Sequence, residues 1–273
     1  MSDRNVKICL VQFESTLGKT KENVGKALKM ALKAAKKGAN IICFPELFNT
    51  GYHLEILKDK MYGLRERIDG YTVNRFREFA SKTKTHIHIS LALEKEVKGV
   101  VFNAAVMIDD EGEVRGVYSK NHLFGTESSF FARGDGYPVF DTKYGRVGIM
   151  ICYDANFPEP ARILTLKGAE LLVVHAAWRI QDKAIWDQLI PTRALENSVF
   201  VAAVNAYGKN GDLELFGGSK VVHPSGKIIV ESTKRAEDVL MCDVDMNEVV
   251  HTRAVSPYLK DRRPEQYSDL CSR

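Results

Sequence analysis

No Cys-x-x-Cys pair occurs among the five cysteines of this 273-residue chain. That spacing fits a reducing compartment better than a disulfide framework. No apolar run approaches the roughly 20 residues that a membrane helix needs. The stretch from Met1 to Asn5 also lacks the apolar core of an export signal. A soluble, cytoplasmic protein with no membrane partner is therefore expected. Charge of one sign is lacking too: 39 basic residues are interleaved with 35 acidic ones, for a net charge of +4. No nucleic-acid partner is expected, and the densest basic stretch, Lys26 to Lys37, has the spacing of the solvated face of a helix. No metal site is expected either, because the nearest approach to a ligand pair, His86 and His88, is read as pointing to opposite faces of a strand.

What is present is a repeating order of elements. Val6 to Phe13 reads as a strand. Thr20 is expected to cap a helix whose apolar positions Val24, Ala27, Leu28, Ala31, Leu32 and Ala35 recur every three or four residues up to Gly38. Strand 39–44, a helix around Val73 to Ala80, strand 86–93 and a hairpin of 100–108 with 114–118 complete the first half. The same order returns as strand 147–151, helix 158–167, strand 171–175, helix 183–197, strand 199–205 and a hairpin of 220–223 with 228–230. Lys37-Gly-Ala-Asn-Ile-Ile matches Lys167-Gly-Ala-Glu-Leu-Leu, each a helix stop feeding a buried strand. Two such units can pack their sheets face to face with helices outside. The expected fold is thus α/β: a four-layer α-β-β-α sandwich of two similar βαβ-type halves, in a single domain over residues 1–273. A last strand spans 239–244, and residues 247–273 read as a polar, Arg-rich tail that leaves the domain to reach a second subunit.

Polar residues at strand exits carry the chemistry. Cys152 ends the apolar run Val147 to Ile151 just before Pro158 opens a helix, so its thiol stands where open α/β folds place ligands. Glu46 ends the second strand among Pro45, Leu47 and Phe48. Burial there raises a carboxyl pKa toward that of a useful general base. Lys120 follows the first hairpin, where an ammonium favours a thiolate or a developing oxyanion, and Glu127 adds a second acid in an aromatic-rich loop. Taken singly each has a structural explanation. Jointly they supply nucleophile, base and cation for amide hydrolysis.

The segments Phe44 to Tyr52, Tyr118 to Phe124 and Gly148 to Glu159 resemble the Glu, Lys and Cys motifs of the nitrilase (carbon-nitrogen hydrolase) superfamily. The likeness extends through Arg193 to Asn197 and Lys260 to Pro264, and is greatest for short amidases and N-carbamoyl hydrolases. It implies a Glu46-Lys120-Cys152 triad, Glu127 positioning the substrate, and the Tyr153 backbone N–H joining Lys120 at the oxyanion. It also implies hydrolysis of a small carboxamide to acid and ammonia through a thioester, with no cofactor and no metal. The partners implied are the small amide itself and a second copy of the chain, in a homodimer or higher assembly. Tyr52, Trp178, Phe48, Phe130 and Phe131 are expected to line an apolar pocket, and the carbonyls of residues 175–177 to orient the amide nitrogen. Ala155-Asn156 stand where some relatives carry an Arg that holds a dicarboxylate monoamide, which argues against an ω-amidase role on such substrates, with Arg133 and Arg179 as the other candidates for that work. Tyr153-Asp154 in place of Trp-Glu favours amides over nitriles. The alternatives are an N-carbamoyl hydrolase that also releases carbon dioxide, a catalytically weak binding or scaffold protein on the same fold, and a redox sensor at Cys152.

Overall fold

The computed structural model describes residues 4–272. Residues 1–3, part of the stretch read above for an export signal, and Arg273, the last residue of the tail, lie outside the described residues.

One winding is used twice. The first half runs β1 (Asn5–Gln12), α1 (Thr20–Ala35), β2 (Ile41–Cys43), the short helices α2 (Leu54–Leu57) and α3 (Lys60–Leu64), α4 (Tyr71–Thr83), β3 (His86–Glu94), β4 (Val101–Ile108) and β5 (Val114–Ser119). After β6 (Val139–Thr142), the second runs β7 (Gly145–Ile151), α5 (Pro158–Leu166), β8 (Leu171–Ala176), α6 (Lys183–Asn197), β9 (Phe200–Asn205), a small hairpin of β10 (Tyr207–Asn210) and β11 (Leu213–Phe216), β12 (Lys220–Val222) and β13 (Ile228–Glu231). Then β14 (Asp238–Asp245) and α7 (Glu248–Val255) follow. In each half three parallel strands continue into two antiparallel ones: β1-β2-β3-β4-β5 and β7-β8-β9-β12-β13. One antiparallel strand from outside the unit completes each six-stranded sheet, β14 beside β1 and β6 beside β7.

Alternation along β1 explains the layering. Val6, Ile8 and Leu10 pack toward β7, β8 and β9 of the other sheet, while Cys9 and Val11 pack with Val24 and Ala27 of α1 and Val73 and Phe76 of α4. On the far side, Ala161 and Leu164 of α5 and Trp186 and Ile190 of α6 cover the second sheet. Each fully buried Ile or Phe contributes roughly 1.5–3 kcal/mol. A one-residue slip of β1 would exchange both of its faces, so its register is strongly specified. The four-layer α-β-β-α sandwich expected from the repeat is the observed fold.

Four details depart from the sequence reading. Thr20 does not cap α1: it is the first helical residue, its hydroxyl has no hydrogen-bond partner, and Lys19 holds the cap position without a side-chain bond. His86 and His88 share one face of β3, as residues two apart on a strand must, because His88 stacks on His175 and His86 packs on Tyr144, both of the second sheet's half. They nevertheless join no metal-ligand cluster among the described residues. The tail does not leave the domain at residue 247, because α7 buries Val249 and Arg253 donates to the Ala169 carbonyl. Beyond that helix the chain is mostly exposed, with Tyr258 and Leu270 open to solvent. Finally, β6, β10 and β11 are only four residues each, too short for a periodic pattern to stand out in the sequence.

Candidate active site

Cys152 closes β7 with φ of 49°, a left-handed conformation that L-residues adopt only when their surroundings enforce it. The run 152–156 then forms one 3-10 turn into α5, whose first residue is Pro158. A second strained residue, Leu47 at φ 48°, directly follows Glu46, three residues beyond the end of β2 at Cys43. Glu46 is held from the opposite sheet. Its N–H donates to the Ala176 carbonyl at 3.4 Å, and His175 Nδ1 bonds the Phe44 carbonyl at 2.6 Å. Burial keeps His175 neutral, with its pKa lowered to about 4. The ends of β2, β7 and β8 thus meet at one place, beside Lys120 at the exit of β5.

Lys120 is fully buried, and its Nζ donates to Glu46 Oε1 and Glu127 Oε1, each at 2.8 Å. Glu46 Oε1 also accepts from Asn103 at 2.7 Å. Glu127 Oε1 accepts from the Tyr52 hydroxyl at 2.6 Å, and its Oε2 from the Phe124 N–H at 2.9 Å. An ammonium has three donors, so one N–H of Lys120 is left over. Burial pulls the Lys120 pKa down, but Glu46 and Glu127 more than offset it and hold the group firmly charged. Burial raises Glu46, Lys120 opposes that, and Glu127 adds to it, for a net rise. Glu46 Oε2 is buried with no well-aligned hydrogen bond, although the Cys152 thiol stabilises its charge through a looser contact. One carboxylate oxygen is therefore free to take a proton.

Lys120 does favour the thiolate, as expected of an ammonium beside a thiol, but it is outweighed. Burial and the Glu46 charge raise the Cys152 pKa well above a free thiol's, and Lys120 with a backbone bond from Ala177 only partly counters them. One cation shared between two carboxylates leaves the cluster net negative, so a resting thiol keeps its proton.

A polar latch joins this cluster to the nucleophile turn. Asp154, fully buried, accepts from the Tyr118 hydroxyl at 2.6 Å, from Ile151 N–H at 3.0 Å, and from His122 through its backbone N–H at 3.1 Å and Nδ1 at 2.9 Å. Tyr118 and His122 flank Lys120, so one carboxylate fastens both chemical loops. Burial, then Asp154, push the Tyr118 pKa well up and keep the phenol a donor. Sequence reading singled out Asp154 only as a substitution beside the cysteine. Its acceptor role depends on a partner 36 residues away.

A cavity of about 200 Å³ opens over Cys152. Tyr52, Phe124, Tyr153, Asn156, Trp178 and Arg179 are among the residues that line it. Phe48 does not line it: it packs with Phe13, Phe44 and Phe76 under α4. Phe130 and Phe131 sit instead in a satellite cluster with Leu47 and Met61. Local sequence cannot tell a pocket aromatic from a core one. Of the two arginines considered, Arg179 lines the cavity and Arg133 is absent from its walls.

A buried thiol, carboxyl and ammonium gathered at strand ends of an α-β-β-α sandwich define a thiol-dependent hydrolase. The carbon-nitrogen hydrolase family model matches residues 7–254, and the chain belongs to that family. It is 33% identical to the 2-oxoglutaramate amidase of Bacillus subtilis, over 95% of this chain and 98% of that protein. Among solved structures, a carbon-nitrogen hydrolase from Helicobacter pylori G27 superposes with a TM-score of 0.92 at 28% identity, over 99% of both chains. A variant of the Nesterenkonia sp. AN1 amidase, solved with the acetamide moiety of fluoroacetamide added covalently at its active-site cysteine, superposes with a TM-score of 0.84 at 27% identity, over 97% of this chain and 96% of that one. The protein is a cysteine-dependent hydrolase of non-peptide carbon-nitrogen bonds.

Proposed function

We propose that Glu46, Lys120 and Cys152 act as a triad that hydrolyses a small carboxamide to a carboxylic acid and ammonia. Glu46 Oε2 takes the thiol proton as Cys152 Sγ attacks the carbonyl carbon. The free N–H of Lys120 and the backbone N–H of Tyr153 hold the resulting oxyanion. Protonated Glu46 then gives its proton to the leaving nitrogen, ammonia departs, and a thioester remains. Water deprotonated by Glu46 attacks that thioester, and the acid leaves as the thiol is restored. Glu127 and Tyr52 orient the amide, and Trp178 walls the pocket. The observation that carries this reading is the buried Lys120 ammonium bonded to both Glu46 and Glu127 beside Cys152. The hydrogen bonds of the latch at Asp154 support it, since they fix the turn that presents the thiol.

The test is ammonia release from a panel of aliphatic, aromatic and carbamoyl amides by the wild type and Cys152→Ala. Turnover by the wild type and none by the alanine variant is expected; substantial activity in that variant overturns the triad, and a wild type inert on every amide favours the scaffold reading. Cys43→Ala should leave turnover intact, because that thiol is buried inside β2. Carbon dioxide released with ammonia would assign the N-carbamoyl reaction.

The chain acts as a single hydrolase domain in the cytoplasm and pairs into a homodimer through α5, α6 and the segment beyond α7. Exposed Leu166, Leu195, Tyr258 and Leu270 on those elements support the pairing. Light scattering that returns a monomer at micromolar concentration would refute it.

A further inference from the structure

The mouth of the cavity over Cys152 holds polar groups with no task in the proposed hydrolysis. Arg179 follows β8 and is pinned at three points. Its backbone bridges to Leu215 of β11, its guanidinium lies 5.1 Å from the centre of the Phe124 ring, and Nε donates to Asp182 Oδ2 at 2.8 Å. Its Nη2 approaches that same oxygen at 2.7 Å. Two guanidinium nitrogens therefore converge on one carboxylate oxygen. Among the described residues Arg179 Nη1 and Asp182 Oδ1 have no partner, and neither does the side-chain amide of Asn156. All three residues line the cavity above the thiol. Phe124 is in turn edge-on to Tyr153 with ring centres 5.1 Å apart, so the plate carrying Arg179 is braced against the nucleophile turn itself.

Among the described residues, Arg179 and Asp182 are the only charged ones on the wall of this cavity. Their charges cancel, yet each keeps one edge free. A substrate bearing only a carboxylate would meet Asp182 beside its cation, and one bearing only an ammonium would meet Arg179 beside its anion. A group that carries both signs on adjacent atoms satisfies both edges at once, with Asn156 offering a further donor to the carboxylate.

Resting on the proposed hydrolysis, we infer that the preferred substrate is the terminal amide or ureide of an α-amino acid, with its zwitterionic end between Arg179 and Asp182 and its carbonyl at Cys152. Arg179 Nη1 and the Asn156 amide bind the carboxylate, and Asp182 Oδ1 binds the ammonium. These are specificity residues: the bonds broken and formed remain those of the thiol reaction, with water consumed and ammonia released, and with a ureide the carbamate set free goes on to carbon dioxide and an amine.

The experiment compares four amides of one chain length: L-glutamine, glutaramate without the amino group, γ-aminobutyramide without the carboxylate, and butyramide without either. Glutamine is expected to exceed each of the others in kcat/KM by roughly tenfold or more, the worth of one charge-assisted hydrogen bond. The gain should lie mainly in KM. Arg179→Gln should erase the advantage over γ-aminobutyramide, and Asp182→Asn the advantage over glutaramate. Binding of glutamine to Cys152→Ala, measured by calorimetry, should weaken in step when either change is added. Butyramide turned over as well as glutamine overturns this inference and leaves the amidase reading standing, as does glutaramate matching glutamine. Failure of all four and of the wider amide panel brings down the amidase reading and this one with it.

Discussion

Replacing Lys120 with Met tests the centre of the site, because the new side chain fills similar volume and removes only the charge. In the native chain the ammonium is fully buried and satisfies two carboxylates at 2.8 Å each. Without it, Glu46 and Glu127 face each other with no cation, and breaking a buried pair typically costs about 3–5 kcal/mol. At about 2–4 °C per kcal/mol for a chain of this size class, the melting temperature should fall by about 6–20 °C. The loss should depend on pH with a definite sign. Burial already holds the Glu46 pKa above its ordinary 4.5, and Lys120 is the group that opposes the rise, so its removal lifts the folded value further. The folded variant then retains a proton that the unfolded chain has released. Its stability deficit is therefore largest above the raised Glu46 value and shrinks as pH falls toward 4.5. Thermal melts at about pH 5 and pH 8 measure both quantities, and amide turnover on the same samples should drop at least about a hundredfold through loss of an oxyanion donor. Equal melting temperatures for variant and wild type at the higher pH, or turnover within tenfold, would refute the electrostatic reasoning.

Asp154→Asn keeps the size of the latch but cannot accept at every bond now made by Tyr118, Ile151 and His122; kcat should fall about tenfold to a hundredfold with KM little changed, and a purely structural role would instead lower the amount of folded enzyme without altering kcat. Because the base is Glu46 with a raised pKa and the resting thiol keeps its proton, kcat/KM should show one ascending limb centred above the usual carboxylate range and then a plateau. A descending limb near neutrality would contradict it. Gly134 donates its N–H to the Lys120 carbonyl at 2.9 Å, and a methyl there would overlap the Ser119 carbonyl. Gly134→Ala should thus displace the end of β5, costing about 1–3 kcal/mol in denaturant melts and most of the turnover, whereas Gly136→Ala, with open space around it, should cost neither.

Much of the scaffold was legible because its signals are local. The strands read at 147–151 and 171–175, the helix stop at Gly168 and the hairpin of 220–223 with 228–230 each depend on a few neighbouring residues. Their repetition across two halves implied two sheets. Elements with weak periodicity, such as β6 and the β10-β11 hairpin, escaped because their pairing comes from the sheet edge or from each other and not from an apolar pattern of their own. Thr20 misled for a related reason: a residue type suited to a cap is only a cap when the chain turns at that residue, and here it turns one position earlier.

By itself the sequence determined which side chains carry reactive groups, that Glu46, Lys120 and Cys152 stand at strand exits, and that the halves repeat. Tertiary structure alone decided that one ammonium bridges Glu46 and Glu127 across separations of 74 and 7 residues, and that Asp154 fastens the two chemical loops. It also sent Phe48, Phe130 and Phe131 into packed clusters while leaving Arg179 and Asp182 at the cavity mouth. The physical reason is range. Periodicity and turn chemistry act over a few residues, whereas burial, charge pairing and the shape of a cavity follow from how two sheets pack against one another.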